Sequence, residues 1–158
     1  MGRRPTKAVN NPFCKARLEA AKCNERLYSK EYAAELLGVS ASTLSDYELG
    51  YTKIVPTDIV IKMADLYNAP ELENIYCTEM CPLGYEMPKV SMDGLDRISL
   101  SAIYALRKTD ETCNLLLDIV RDGVVSEDEK PDMYKVLENL KELEGITQNL
   151  KVWVKKNL

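Results

Sequence analysis

A glycine at position 38 constrains the fold of this chain more than any other residue. Ala34 lies four positions before Gly38, and Leu44 lies six positions after it. A small residue at 34 lets two helices approach closely, and a glycine takes the left-handed conformation that a tight turn requires. Leu44 then points back into the core from the second helix. This spacing predicts two short helices joined by a tight turn.

Capping residues divide the rest of this region into helices. Asn11 followed by Pro12 predicts a first helix that runs to about Cys23, with Cys14, Leu18 and Ala21 spaced along one face. The second helix, KEYAAELL, begins after Ser29, and the third, ASTLSDYEL, begins after Ser40 and stops at Gly50. A fourth helix opens at Pro56 or Thr57, and a fifth follows Pro70 and ends before Pro82. Five short helices predict a compact all-α domain.

Composition shifts suggest four segments. Residues 1–11 form a polar basic arm, residues 12–83 form the helical domain, and residues 84–94 form a linker with two glycines and a proline. Residues 95–158 are helical again. No stretch shows the alternation of a strand followed by a hairpin turn. We therefore predict an all-α fold: a five-helix domain, then a C-terminal antiparallel helical unit with a long coiled-coil-like last helix.

The C-terminal region carries more apolar surface than one partner helix needs. The last helix, from about Lys130, has inward residues spaced alternately three and four apart, which is typical of a coiled-coil seam. These residues are Met133, Val136, Leu140, Leu143, Thr147, Leu150 and Val154, flanked by Leu137, Ile146 and Trp153. Two preceding stripes are Leu95, Ile98, Ala102, Ile103 and Leu106, and Leu115, Leu116, Ile119 and Val120. A three-helix antiparallel unit or a dimer contact would bury this surface, and both can hold together.

Composition excludes several classes of function. The formal net charge is −4, and there is no histidine, so no Ser-His-Asp or Cys-His catalytic arrangement is possible. No other acid–base or phosphate-binding constellation stands out, so we do not expect an enzyme or a cofactor. No apolar run is long enough to cross a bilayer. Five cysteines without an export signal indicate free thiols in a reducing cytoplasm.

Three cysteines share a region of the predicted domain. Cys77 and Cys81 lie on one face of the fifth helix, and Cys14 on the first helix could lie near them. Three thiolates could hold zinc or sense redox state. The alternative is that each cysteine is a small buried hydrophobe, and no fourth ligand is evident. Cys14, Cys77 and Cys81 are therefore weak candidates for a metal site.

A second ligand pattern occurs near residue 120. The residues Asp118, Asp122, Gly123, Ser126 and Glu129 fall at the positions of a calcium-binding loop. Val120 occupies the third ligand position, which should weaken calcium binding severely. The alternative reading has Gly123 ending one helix and Ser126 with Glu129 forming a capping box for the next.

The segment SKEYAAELLGVSASTLSDYELGYTKIVP resembles the lambda-repressor-like, xenobiotic-response-element-type helix-turn-helix family, and the resemblance extends over roughly residues 12–83. It implies a domain that binds operator DNA, usually as a dimer, with its third helix in the major groove. By position, the residues facing DNA would be Ser40, Ala41, Ser42, Thr43, Ser45 and Asp46. Lys30 would contact a phosphate, and Tyr51, Thr52 and Lys53 are further backbone-contact candidates.

Charge is distributed unevenly along the chain. Residues 1–30 carry a net charge of +6 and residues 31–88 carry −8. The arm, with Arg3 and Arg4, could follow the phosphate backbone or enter the minor groove, or it could be a solvated terminus. The family often places Gln, Arg or Lys on the exposed face of the third helix, whereas this chain has small hydroxyls and an aspartate. Asp46 would repel phosphate but could accept a hydrogen bond from cytosine.

These observations favour a cytoplasmic transcriptional regulator that binds double-stranded DNA as a homodimer, with repression as the default mode. The alternative is a protein-interaction adaptor, such as an antitoxin-like partner, that uses the helix-turn-helix as a scaffold. An effector, whether a small molecule or a protein, cannot be inferred from the sequence.

Overall fold

A computed structural model describes residues 10–84, 86–121 and 123–158. The chain divides into two compact units between Met87 and Pro88. The first unit contains α1 (Pro12–Ala20), α2 (Lys30–Leu37), α3 (Ala41–Leu49), α4 (Thr57–Leu66) and α5 (Glu71–Glu79). The second contains α6 (Leu95–Arg107), α7 (Thr109–Ile119) and α8 (Lys130–Asn157). The described residues include no strand, which confirms the all-α prediction.

The predicted caps of the first three helices are confirmed. The Asn11 side-chain oxygen accepts hydrogen bonds from the first amides of α1, the Ser29 hydroxyl accepts from the Tyr32 amide, and the Ser40 hydroxyl accepts from the Thr43 amide. The first helix ends at Ala20, three residues earlier than expected. The amides of Lys22 and Cys23 bond three residues back, so the chain tightens there into a turn. A 3-10 turn over Glu25–Tyr28 then leads into α2.

The core of the first unit is formed by side chains from all five helices. The largest fully buried apolar side chains include Phe13, Leu37, Leu44, Met63 and Leu72. The inward face of α1 differs from the expected one. Cys14 and Ala21 are buried as predicted, but Leu18 is only half-buried. The charged Arg17 is buried as well.

The second unit is a helical hairpin in which two consecutive helices, α6 and α7, pack against the long helix α8. Helices α6 and α7 follow one another with only Lys108 between them, and each packs along α8 far more than on the other. The cross-contacts run antiparallel along α8. The Ser91 amide bonds to Asn149, Lys108 pairs with Glu142 at 3.2 Å, and Lys135 pairs with Glu111 at 3.0 Å. Thus α6 lies along the C-terminal half of α8 and α7 along its N-terminal half.

Only part of the predicted apolar surface is covered within the second unit. On α8, Val136 is buried, and Met133 and Leu143 are half-buried. The other residues of the predicted seam are exposed: Leu140, Thr147, Leu150 and Val154. On α6, the expected stripe is buried at Ile98 but exposed at Leu95, Ile103 and Leu106. A two-layer hairpin buries only the facing sides of its helices, which is why these residues remain in solvent. None of the helices in the described ranges is long and apolar enough to span a membrane.

The connection between α7 and α8 agrees with the capping interpretation at Gly123 and at the Ser126–Glu129 contact, but α8 begins only at Lys130, and its N-cap residue Glu129 makes no side-chain cap hydrogen bond. Gly123 has a φ of 76° and follows the end of α7. The Glu129 carboxylate accepts hydrogen bonds from the amide and the hydroxyl of Ser126, at 2.8 and 2.7 Å. Asp118 faces Arg121 at 3.2 Å. The proposed calcium ligand Asp122 lies outside the described residues.

Candidate nucleic-acid interface

The turn between α2 and α3 has the predicted geometry. Gly38 has a φ of 73°, in the left-handed region. The Val39 amide donates to the Ala34 carbonyl and the Gly38 amide donates to the Glu35 carbonyl, which is the Schellman pattern of a helix end. Ala34 and Leu44 are buried on either side of the turn. Each of the three residues therefore has the role predicted for it: Gly38 forms the turn, and Ala34 and Leu44 pack in the core on either side.

A row of small polar side chains occupies the outer face of α3. Ser40, Ser42 and Asp46 are exposed, whereas Ala41, Thr43 and Ser45 are half-buried. The Ser40 hydroxyl lies 2.9 Å from the Ser42 hydroxyl and 2.8 Å from that of Thr43. These hydroxyls surround the N-terminus of α3, where the helix dipole favours negative charge. They can donate to and accept from base edges or phosphate oxygens.

The inner face of α3 is held by a buried ion pair that the sequence reading missed. The Arg17 Nε lies 2.6 Å from Glu48 Oε1, and its Nη2 lies 3.0 Å from Oε2. Its Nη1 donates to the carbonyls of Leu27 and Tyr28. Burial acts against the charged form of Arg17, but the hydrogen bond and charge of Glu48 outweigh it and raise the pKa of the guanidinium. The pair fixes α3 to α1 and to the 3-10 turn.

Two further side chains, from Asn11 and Lys30, attach α3 to neighbouring parts of the first unit. The Asn11 side-chain amide donates to the Tyr47 carbonyl at 3.0 Å, so the residue that caps α1 also contacts α3. Lys30, predicted to contact a phosphate, is the first residue of α2, and its side chain reaches α3. Its ammonium is 3.1 Å from the Ser45 hydroxyl and 3.3 Å from Glu48 Oε2. Lys30 therefore stabilises the pair of helices, whatever else it binds.

The loop after α3 presents the remaining predicted contact residues. Tyr51 is 72% exposed, Lys53 is exposed and Thr52 is half-buried. The Tyr51 amide donates to the Asp46 carbonyl, so the start of this loop is fixed to the end of α3. Arg3 and Arg4, the predicted contacts of the basic arm, lie outside the described residues.

The three candidate cysteines are distributed around the core of the first unit. Cys14 is buried, and Cys77 and Cys81 are partly buried against the core. Burial, with the Glu48 carboxylate nearby, raises the pKa of the Cys14 thiol. Within residues 10–84, 86–121 and 123–158, no three Cys, Asp or Glu side chains are grouped so that they could hold a metal ion.

Comparison with known proteins identifies the first unit. Residues 19–74 match a family model described as helix-turn-helix (HTH_3). The match includes α2, the turn and α3, and it extends to α5. No curated protein and no solved structure matches the chain. Residues 19–74 therefore match a lambda-repressor-like helix-turn-helix domain, and this match supports a role in DNA binding and transcription regulation.

Proposed function

We propose that the protein is a cytoplasmic repressor that binds a palindromic operator as a homodimer. The observation that carries this proposal is the two-sided character of α3. Its inner face is fixed by the Arg17–Glu48 pair, while its outer face presents hydroxyl groups. A rigid helix with an exposed polar face suits base recognition in the major groove.

Each contact has a proposed role. The side chains of Ser42, Thr43 and Asp46 reach base edges, and Ala41 contacts a thymine methyl group. Tyr51 to Lys53 bind the phosphate backbone and set the register. An ammonium group has three donors, and Ser45 and Glu48 engage two of those of Lys30, so the third can bind a phosphate. Arg3 and Arg4 add phosphate or minor-groove contacts.

A homodimer with two-fold symmetry accounts for a palindromic operator. Two domains related by a two-fold axis read half-sites about one helical turn apart, ~34 Å. Bound at a promoter, such a dimer represses by excluding the polymerase. The second unit supplies the dimer contact, because its helices leave many large apolar side chains exposed.

Selection from random DNA duplexes tests the proposal. The full-length protein should enrich one palindromic sequence, and binding to it should weaken steeply as salt rises. A failure to enrich any sequence, together with a protein that co-purifies, would instead favour the adaptor function. The feature that supports the adaptor is the net charge of −8 across residues 31–88, because an acidic surface suits a basic protein partner better than DNA.

A further inference from the structure

Three exposed residues of the predicted coiled-coil seam form a straight, mostly apolar line along α8. Leu140, Thr147 and Val154 are spaced seven residues apart and so lie along one side of the helix. Leu140 is 49% exposed, Val154 is 42% exposed and Thr147 is exposed. Leu150 lies beside this line and is also exposed. We call these four residues the α8 seam.

The α8 seam is self-complementary about Thr147. An apolar residue lies seven positions before it and another seven positions after it. On one flank of the line, the exposed Glu144 precedes Thr147 by three residues and the exposed Lys151 follows it by four. A surface with this symmetry can pair with a copy of itself through a two-fold rotation.

We propose that two copies of the chain pair antiparallel through the α8 seam, with the two-fold axis passing beside Thr147. The proposal rests on the homodimer proposed above and specifies its interface. Leu140 lies against Val154 of the partner subunit. Glu144 lies next to Lys151 of the partner subunit, and the symmetry repeats both contacts. Opposite charges that meet twice favour a second copy over an unrelated apolar partner.

Local chemistry is compatible with burial of the seam. The Thr147 hydroxyl already donates to the Leu143 carbonyl at 2.8 Å, so its donor stays paired when the axis region is dehydrated. A largely apolar groove between α7 and α8 opens beside Leu140 and is also lined by Cys113, Leu116 and Leu143. The partner's Val154 would close this groove, which extends the apolar contact from α8 to α7.

Charge exchange tests the interface in the full-length protein by sedimentation equilibrium. Glu144→Lys and Lys151→Glu each turn both attractive pairs into repulsive ones, and each should raise the dimer Kd about tenfold. The double variant should return the Kd to within about threefold of the wild-type value. Glu138→Lys makes the same charge change on the opposite side of α8, where the residue is exposed, and should leave the Kd nearly unchanged.

A cross-link tests the axis independently of the charges. In a chain with Cys23→Ser and Cys113→Ser, Thr147→Cys should form a covalent dimer on mild oxidation, and Glu138→Cys should not. A monomer at about 100 µM would overturn the interface together with the proposed homodimer. A dimer that binds its operator, yet is insensitive to charge exchange and gives no Thr147→Cys cross-link, would overturn this interface alone. Correct charge rescue without any selected operator would overturn the proposed DNA site alone.

Discussion

Arg17 and Glu48 form a two-point ion pair inside the helix-turn-helix domain, with their side chains only 3% and 0% exposed. The pair joins the first helix to the third, which carries the proposed DNA contacts. Because both charges are removed from water, each needs the other, and loss of one partner leaves a buried charge without full compensation.

Replacing Arg17 should destabilise the domain strongly. For Arg17→Met, we expect the free energy of unfolding to fall by about 3 kcal/mol, because the buried Glu48 carboxylate keeps its contact with Lys30 but loses the two-point contact with the guanidinium. Urea denaturation measures this value. Glu19→Gln is the control, since it breaks an exposed pair with Lys22 and should cost less than about 0.5 kcal/mol. Equal losses in the two variants would contradict the role of the buried pair.

Two glycine substitutions should change stability in opposite directions. Gly38→Ala should destabilise the protein by about 1 kcal/mol. The new Cβ would meet no atom within 4 Å, but a φ of 73° strains the backbone of an alanine. Gly145→Ala should stabilise it by about 0.5 kcal/mol, because this glycine is inside α8 and the new Cβ meets Pro88 at an ordinary 3.7 Å. Thermal unfolding of both variants checks the signs, and a stabilising Gly38→Ala would contradict the turn geometry.

The buried thiol of Cys14 should make stability depend on alkaline pH. The folded chain raises its pKa above the ordinary 9.0, so the folded state holds the proton more tightly than the unfolded state does. The stabilisation that this provides is complete below pH 9 and is lost as pH rises through the folded pKa. The difference in unfolding free energy between wild type and Cys14→Ala should therefore narrow above pH 9. A difference that is constant with pH would contradict the burial of the thiol.

Lys53 should contribute to DNA affinity without contributing to sequence preference. If it binds a phosphate, Lys53→Gln weakens binding to all duplexes and lowers the slope of log affinity against log salt by about 1 per subunit. Fluorescence anisotropy at several salt concentrations gives this slope. Lys141→Gln removes the same charge from an exposed position on α8 and should leave the slope unchanged. An unchanged slope in Lys53→Gln would remove Lys53 from the interface.

Local signals predicted much of the first unit. Asn11, Ser29 and Ser40 act within three residues of themselves, so their caps could be recognised in the sequence. The Arg17–Glu48 pair joins residues 31 positions apart, and no local pattern links them. The available signal was the position of Arg17, which follows Cys14 by three residues and so shares its inward face.

The second unit shows a different limit of sequence interpretation. The start of α8 near Lys130 was predicted correctly, but the predicted coiled-coil seam was only partly right, because Val136 is buried whereas Leu140, Leu150 and Val154 are exposed. The spacing could not show that α6 and α7 divide the length of α8 between them, because the break at Lys108 contains neither glycine nor proline. As a result, periodicity located the apolar residues but did not show which of them would stay exposed.

Substitution on the outer face of α3 tests the central claim most directly. The measurement is the Kd for the selected operator of wild type, Ser42→Glu, and the double variant Ser42→Glu/Thr43→Glu. A double variant with Ser99→Glu and Ser101→Glu, at exposed positions of α6, adds the same charge elsewhere. We predict that the α3 double variant loses affinity about hundredfold or more while its circular dichroism stays unchanged, and that the α6 variant binds like wild type. Equal affinities of the two double variants for the operator would contradict DNA recognition by α3.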